Sequence, residues 1–268
     1  MPPAPSPAPR SPAPMARPRG PDGVVLYAIG DVHGYAGLLQ PLLEAAGRDA
    51  TAGKRTIVVG LGDYADRGPD SPGVVERLLE IAGRPNVEGR LLRGNHDQLL
   101  LDFLADHTLG PYWVRIGGLE TLQAYGVTPP DGRENMDAWR DARDDFAAKL
   151  PERHLAFFQG LDLSFTWGDY FFVHAGAQPG IPLEQQSAQD LLWIRHVFLD
   201  DDRPFDRIVV HGHTPADDVH ADHRRIGLDT GAYINGMLSA CRFEGESRLV
   251  IQAVAQAHGG PEVRTRPL

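Results

Sequence analysis

Asp31, Asp63 and Asn95 stand 32 residues apart, one to the next, and each directly follows a glycine at the end of a short apolar run. The runs are Val24–Ile29, Thr56–Val59 and Gly89–Leu92. Such short, β-branched or leucine-rich segments read as buried strands. Between them lie stretches with helical spacing: Leu38, Leu39, Leu42 and Leu43, then Val74, Val75, Leu78 and Leu79 within Ser71–Ile81. A strand–helix–strand unit takes about 30 residues. Two such units in series predict an α/β chain whose first three strands are parallel neighbours. Asp31, Asp63 and Asn95 then meet at the carboxyl edge of one sheet, where ligands bind in open α/β folds.

The middle loop, Gly62-Asp63-Tyr64-Ala65-Asp66-Arg67-Gly68, holds two carboxylates and a guanidinium within five residues. Two close acids repel each other unless a cation neutralises them. Acid–glycine segments also make ordinary solvated turns, so this loop alone decides little. Downstream strands end in similar chemistry. Tyr170–Val173 runs into His174, and Arg207–Val210 runs into His211-Gly212-His213. Further strands are expected at Leu161–Thr166, Arg225–Leu228, Met237–Phe243 and Arg248–Val254, with a helix near Ser187–Phe198.

Alternate residues of an extended segment share a face, so Asp31 and His33 can bind one ion together. Carboxylate, imidazole and amide oxygen suit hard-to-borderline divalent metals. Asp63 can bridge, one ion per oxygen. The expected sites are therefore Asp31, His33 and Asp63 for one ion, and Asp63, Asn95, His174 and His213 for the other. Two ions about 3.5–4 Å apart clamp a phosphoryl group and activate a shared water for in-line attack. His211 could share the face of His213; a supporting position is expected for it. His107, His154, His196, His220, His223 and His258 lie outside these motifs and read as surface or core residues.

These candidates run across nearly the whole chain, which argues for one domain at residues 22–258. Residues 105–160 show little strand character and read as a helical insertion, with Pro151 opening a short helix. Residues 1–21, dominated by proline and alanine, read as a disordered arm, and Met15 is an alternative start. Residues 259–268 read as a C-terminal tail. The net charge of −10 argues against nucleic-acid partners. No apolar run reaches the roughly 20 residues of a membrane span. The single cysteine, Cys241, excludes an intrachain disulfide, and together these features suggest a cytoplasmic protein.

The ordered series Gly30-Asp31-Val32-His33-Gly34, Gly62–Gly68, Gly94-Asn95-His96-Asp97, His174-Ala175-Gly176 and Gly212-His213 resembles that of the PPP-type serine/threonine phosphoprotein phosphatases in their bacterial form. These belong to the calcineurin-like metallophosphoesterase superfamily. The resemblance spans roughly residues 24–240. It implies a central β-sandwich flanked by helices, a dinuclear centre, and one-step hydrolysis. Manganese is the expected metal, with iron, zinc, cobalt or nickel as alternatives. It assigns Asp66 and His96 to a dyad in which the imidazole protonates the leaving group. It gives Arg67 a phosphate contact, which a guanidinium suits geometrically, and Arg195 resembles a second. Arg93 is either a further contact or a structural ion pair. Tyr64 is expected beside the metals, and Asp229-Thr230-Gly231 in a supporting loop.

Two features depart from the wider pattern. Asp97 stands where eukaryotic members carry glutamate, and Pro215 where broader metallophosphoesterases place another histidine. The expected substrate is accordingly a phosphoserine or phosphothreonine protein. Symmetrical diadenosine tetraphosphatases are the near rival, but they commonly carry asparagine where Asp66 stands. The acidic net charge and the lack of an evident base-stacking cluster, apart from Tyr112, Trp113 and Trp139, also count against a dinucleotide. A non-catalytic metal-binding protein is opposed by Asp66, Arg67 and His96, which metal retention alone does not require.

Overall fold

The structure, a computed structural model, describes residues 17–268. Most of the proline-rich arm, with Met15, lies outside the described residues. Its last part is pinned: Tyr170 donates to the Pro18 carbonyl, Arg19 N–H to Asp169, and Gly20 N–H to the Gly245 carbonyl.

The first half follows the strand–helix alternation. Strand β1 (Val24–Ile29) leads to α1 (Ala36–Thr51), β2 (Arg55–Gly60), α2 (Ser71–Ala82), β3 (Val87–Leu91) and α3 (Asn95–Ala105). Strands β1, β2 and β3 are parallel neighbours in sequence order. Helix α2 starts where Asp70 accepts the Gly73 N–H at 2.8 Å, with Pro72 in the first turn. The helical insertion follows as α4 (Gly110–Trp113), α5 (Leu119–Ala124), α6 (Met136–Lys149) and α7 (Glu152–Gln159).

The chain then enters a second sheet through β4 (Ser164–Trp167), β5 (Tyr170–Val173), and, after α8 (Ala188–Trp193) and α9 (His196–Leu199), β6 (Ile208–His211). Strands β7 (His220–Ala221) and β8 (Arg225–Gly227) complete it, in the order β4-β5-β6-β8-β7. A short α10 (Ala232–Asn235) returns the chain to the first sheet as β9 (Met237–Glu244), β10 (Ser247–Val254) and β11 (Glu262–Pro267), giving the order β11-β10-β9-β1-β2-β3. One core lies between the sheets, where Leu26, Ala28, Ile57 and Phe243 meet Tyr170, Phe172, Val210 and Ile226. A second core joins the outer face of the larger sheet to α1, α2, α3 and the insertion. This is the expected β-sandwich flanked by helices.

Three local expectations are corrected. Residues 259–268 contain β11, paired antiparallel to β10, rather than a free tail. The helix expected across Ser187–Phe198 is broken at Ile194–Arg195, where Arg195 takes φ −134° and ψ −105°. The break lets Leu191, Ile194 and Phe198 all bury while Arg195 stays exposed. The strand expected from Leu161 begins at Ser164, because Asp162 is engaged elsewhere: its N–H and C=O bond to Leu91 and Arg93 at the end of β3.

Candidate active site

The strand ends deliver the sequence candidates to one place. Asp31, His33, Asp63, Asp66, Asn95, His96, His174 and His213 are all buried. Among the described residues, six non-glycine residues have positive φ, and five of them belong here: His33, Asp63, Asp66, Arg67 and His213. Left-handed backbone costs of order 1–3 kcal/mol per residue and persists only where surrounding contacts impose it. The strain is therefore concentrated in the motif loops.

Asp97 holds two of these loops together. Its carboxylate accepts N–H groups from Gly94 (2.9 Å), Asp63 (2.8 Å), Tyr64 (3.0 Å) and Ala65 (3.4 Å). Burial and the charge of Asp63 push its pKa up to about 7, against the pull of those N–H donors. Gly94 is needed beside it, since a Cβ there would overlap Asp63 Oδ1.

At the centre, the two oxygens of Asp63 face different partners. Oδ2 lies 3.5 Å from His33 Nε2, and Oδ1 lies 3.5 Å from His174 Nε2. The far ring nitrogens fix the tautomers. His33 Nδ1 donates to Ala65 O at 3.0 Å, and His174 Nδ1 to Leu61 O at 2.8 Å. The inward Nε2 of each is thus a lone pair. His174 Nε2 nevertheless sits 2.9 Å from Asn95 Oδ1 and 3.2 Å from His213 Nδ1. Asn95 Oδ1 and His174 Nε2 meet there as two acceptors, and neutral His213, with its one ring proton on Nδ1 toward His174, leaves its buried Nε2 as a lone pair without a partner. Burial holds His33 near a pKa of about 3 and His213 near about 2, so both imidazoles are neutral, as ligands must be. Burial, Asp229 and Asp63 push Asp31 well above the usual carboxylate range. The donor set fits two divalent cations, which would neutralise this acidic, lone-pair-lined cluster.

Two groups of ligand atoms are close enough for an ion: His33, Asp63 and His96, and Asp63, His174 and His213. The second matches the sequence expectation, with Asn95 beside it. The first brings in His96 and omits Asp31, whose carboxylate instead accepts the His213 N–H at 3.0 and 3.1 Å.

His96 Nδ1 donates to Asp66 Oδ2 at 2.7 Å. Trp113 Nε1 donates to the same oxygen (2.9 Å) and Thr121 Oγ1 to Oδ1 (2.7 Å). Burial alone would depress the His96 pKa, but Asp63 and Asp66 together raise it. Arg67 reaches inward, donating to His33 Nε2 (3.0 Å) and His96 Nε2 (2.8 Å). Arg195 is exposed and donates weakly to Thr214 Oγ1 at 3.4 Å.

The remaining candidates divide. Among the described residues Arg93 makes no ion pair; it donates to Gln98, Gln159 O and Leu161 O. The Tyr64 ring packs against Phe157 in the helical core. His211 stays out of both groups, facing Gly212 O and Arg225. His154 is a core histidine between Tyr125 and Glu76. Trp113 and Trp139, proposed for base stacking, are buried in the helical core. Sequence reasoning missed Trp113 and Thr121 as partners of Asp66, and nothing in their spacing signals a contact across 47 and 55 residues. It also missed the Asp97 staple, for which an acid three residues past Gly94 at a helix start was an available signal.

The chain belongs to the calcineurin-like phosphoesterases, whose family model matches residues 24–244. It is a metal-dependent hydrolase with a two-site His/Asp cluster. Within that family it is similar to the asymmetrical bis(5′-nucleosyl)-tetraphosphatase PrpE of Bacillus thuringiensis, 26% identical over 240 residues covering 80% of this chain and 89% of that one. It is also similar to the symmetrical bis(5′-nucleosyl)-tetraphosphatase of an Acidovorax species, 28% identical over 62% of this chain and 48% of the relative. Among solved structures, a provisionally assigned diadenosine tetraphosphatase shares the fold (TM-score 0.51, 20% identity, 95% and 96% coverage). So does a cold-active protein-tyrosine phosphatase of Shewanella (TM-score 0.52, 14% identity, 91% and 83% coverage). The curated relatives correct the resemblance to PPP-type phosphatases and the phosphoprotein partner inferred from it.

Proposed function

We propose that this enzyme hydrolyses the phosphoanhydride chain of dinucleoside tetraphosphates. The observation that carries the reading is the alignment with a named tetraphosphatase over most of both chains. In this reading Asp31, His33 and Asp63 hold one divalent ion, and Asp63, Asn95, His174 and His213 the other. Bound there, the two ions supply charge neutralisation for the phosphate chain and a water of lowered pKa.

The protein's own groups do the rest. His96 Nε2 delivers a proton to the bridging oxygen of the departing nucleotide, and Asp66 holds the imidazole through Nδ1. His96 Nε2 cannot carry that proton and also accept from Arg67. Protonation of His96 and release of the Arg67 guanidinium toward a phosphate oxygen are therefore one event. Arg195, near His174 and His213, offers a second guanidinium to the chain.

Incubating the manganese-loaded protein with diadenosine tetraphosphate, with chromatography of the products, tests this. Two diphosphates report a symmetrical cut; a monophosphate with a triphosphate reports an asymmetrical one. Turnover of nitrophenyl phosphate without cleavage of the dinucleotide would refute the proposal.

A further inference from the structure

A dinucleoside tetraphosphate has a nucleoside at each end of its phosphate chain. The cluster has a matching layout. At one end, Tyr233 lies edge-on to His33, with ring centroids 5.1 Å apart at 81°. Arg67 packs on its face, with Cζ 4.2 Å from the ring centroid. At the other end, Trp193 lies edge-on to His213, at 6.4 Å and 83°. Arg195 follows it two residues later. Tyr233 thus carries a guanidinium on its face, while Arg195 is near Trp193 in sequence; His33 faces Asp63 Oδ2 in one group of ligand atoms, and His213 belongs to the other group with Asp63.

Unlike Trp113 and Trp139, neither ring is fully buried; Tyr233 and Trp193 are both partly exposed, Trp193 with one side packed on the helical core. Both are also held in place. Tyr233 sits in α10 between Gly231 (φ 69°) and Gly236 (φ 63°), two left-handed positions that close a tight turn. Asn235 Nδ2 donates to Thr230 O at 3.0 Å, and Thr230 Oγ1 to Met237 O at 2.9 Å, which fix that turn. Trp193 ends α8, whose Leu191 carbonyl accepts the Ala175 N–H at 2.8 Å, one residue past His174. A platform fixed before binding loses little entropy when a ligand arrives.

From this arrangement we infer that Tyr233 and Trp193 are the two nucleoside platforms, one at each end of the metal cluster. They select a ligand whose nucleobase is separated from the scissile phosphorus by a phosphate chain and a sugar, unlike the ring of nitrophenyl phosphate, which is joined to its phosphorus through one oxygen. The inference rests on the proposed tetraphosphatase activity and adds to it the residues that recognise the nucleosides.

The test compares kcat/KM for diadenosine tetraphosphate with that for nitrophenyl phosphate, in manganese-loaded wild type and four variants. Tyr233→Leu and Trp193→Leu keep apolar bulk and remove the stacking face; Tyr233→Phe and Trp193→Phe keep a ring. Loss of one stacked base lowers affinity by roughly 5- to 150-fold. Each leucine variant should lower the dinucleotide-to-nitrophenyl ratio within that range, chiefly through KM, and each phenylalanine variant should restore most of it. An unchanged ratio in both leucine variants overturns the inference while leaving the activity standing. So does a phenylalanine variant as impaired as its leucine counterpart. A wild type that turns over nitrophenyl phosphate alone overturns the activity itself.

Discussion

Asp66→Asn isolates the charge behind His96 with almost no change of shape. The asparagine carbonyl can occupy the Oδ2 position and keep accepting from His96 Nδ1 (2.7 Å) and Trp113 Nε1 (2.9 Å). The amide nitrogen then falls where Oδ1 accepted from Thr121 Oγ1. Thr121 can turn its proton to Ser71 Oγ, 3.3 Å away, and accept from the amide as well as from the residue 66 N–H. Each group that contacted the carboxylate keeps a partner, so the fold should survive. What disappears is the negative charge facing an imidazolium. A hydrogen bond to a charged group contributes about 1.5–3 kcal/mol, which at about 1.36 kcal/mol per unit lowers the His96 pKa by roughly one to two units.

Wild-type His96 has a raised pKa, so its acid form persists to higher pH and is lost as pH climbs through that value. In Asp66→Asn the falling limb of kcat/KM against pH should move down by roughly one to two units. Above the shifted limb the rate on phenyl phosphate, whose leaving group needs a proton, should drop about 10- to 100-fold. Diadenosine tetraphosphate should lose less, because its leaving nucleotide is a stable anion. A falling limb that stays in place, or equal losses on both substrates with the thermal midpoint unchanged, would show that Asp66 does not act through the proton on His96.

Metal stoichiometry should approach two equivalents per chain after manganese reconstitution and desalting, measured by elemental analysis; Asp63→Asn should weaken both sites and His213→Ala mainly one, and a plateau at one ion in wild type would exclude the bridging role. Gly94→Ala should drive a methyl into Asp63 Oδ1, costing about 1–3 kcal/mol of stability by chemical denaturation and lowering ion uptake in the same elemental assay; uptake equal to wild type would show that the loop yields without disturbing Asp63.

The parts of the fold that were legible in the sequence are those set by local pattern. The runs Val24–Ile29 and Thr56–Val59 carry their own strand signal, and the residues after them inherit a place at the sheet edge. Strand β11 carries none: Glu262–Pro267 is polar, mostly exposed, and defined only by its pairing with β10. The break after Trp193 was hidden because Leu191, Leu192, Ile194 and Phe198 keep apolar spacing through it. In the site, the ligand-type residues were visible because they sit in short glycine-bearing loops at strand ends, Asp31 and His33 sharing one. The partners of Asp66 were not, since Trp113 and Thr121 belong to an insertion whose packing no spacing rule describes. His96 lies in one of the tight ligand groups through tertiary placement alone.

The substrate class was misread for a related reason. Asp66 bears on the proton affinity of His96, and that affinity says how well a leaving oxygen can be protonated, not what lies beyond it. The Asp/His cluster and Arg67 engage a phosphoryl group whatever it is attached to. Overall charge is no better guide. At physiological ionic strength exposed charges are screened over about 8 Å, so a phosphate chain in this cleft answers to Arg67, Arg195 and bound cations more than to a net −10 spread over the chain. Discrimination then falls to groups outside the metal motifs that touch the rest of the ligand. Tyr233 against His33 and Trp193 against His213 are groups of that kind. Their positions come from a turn closed by two left-handed glycines and from a helix broken before Arg195, and neither feature belongs to the motifs that announce the chemistry.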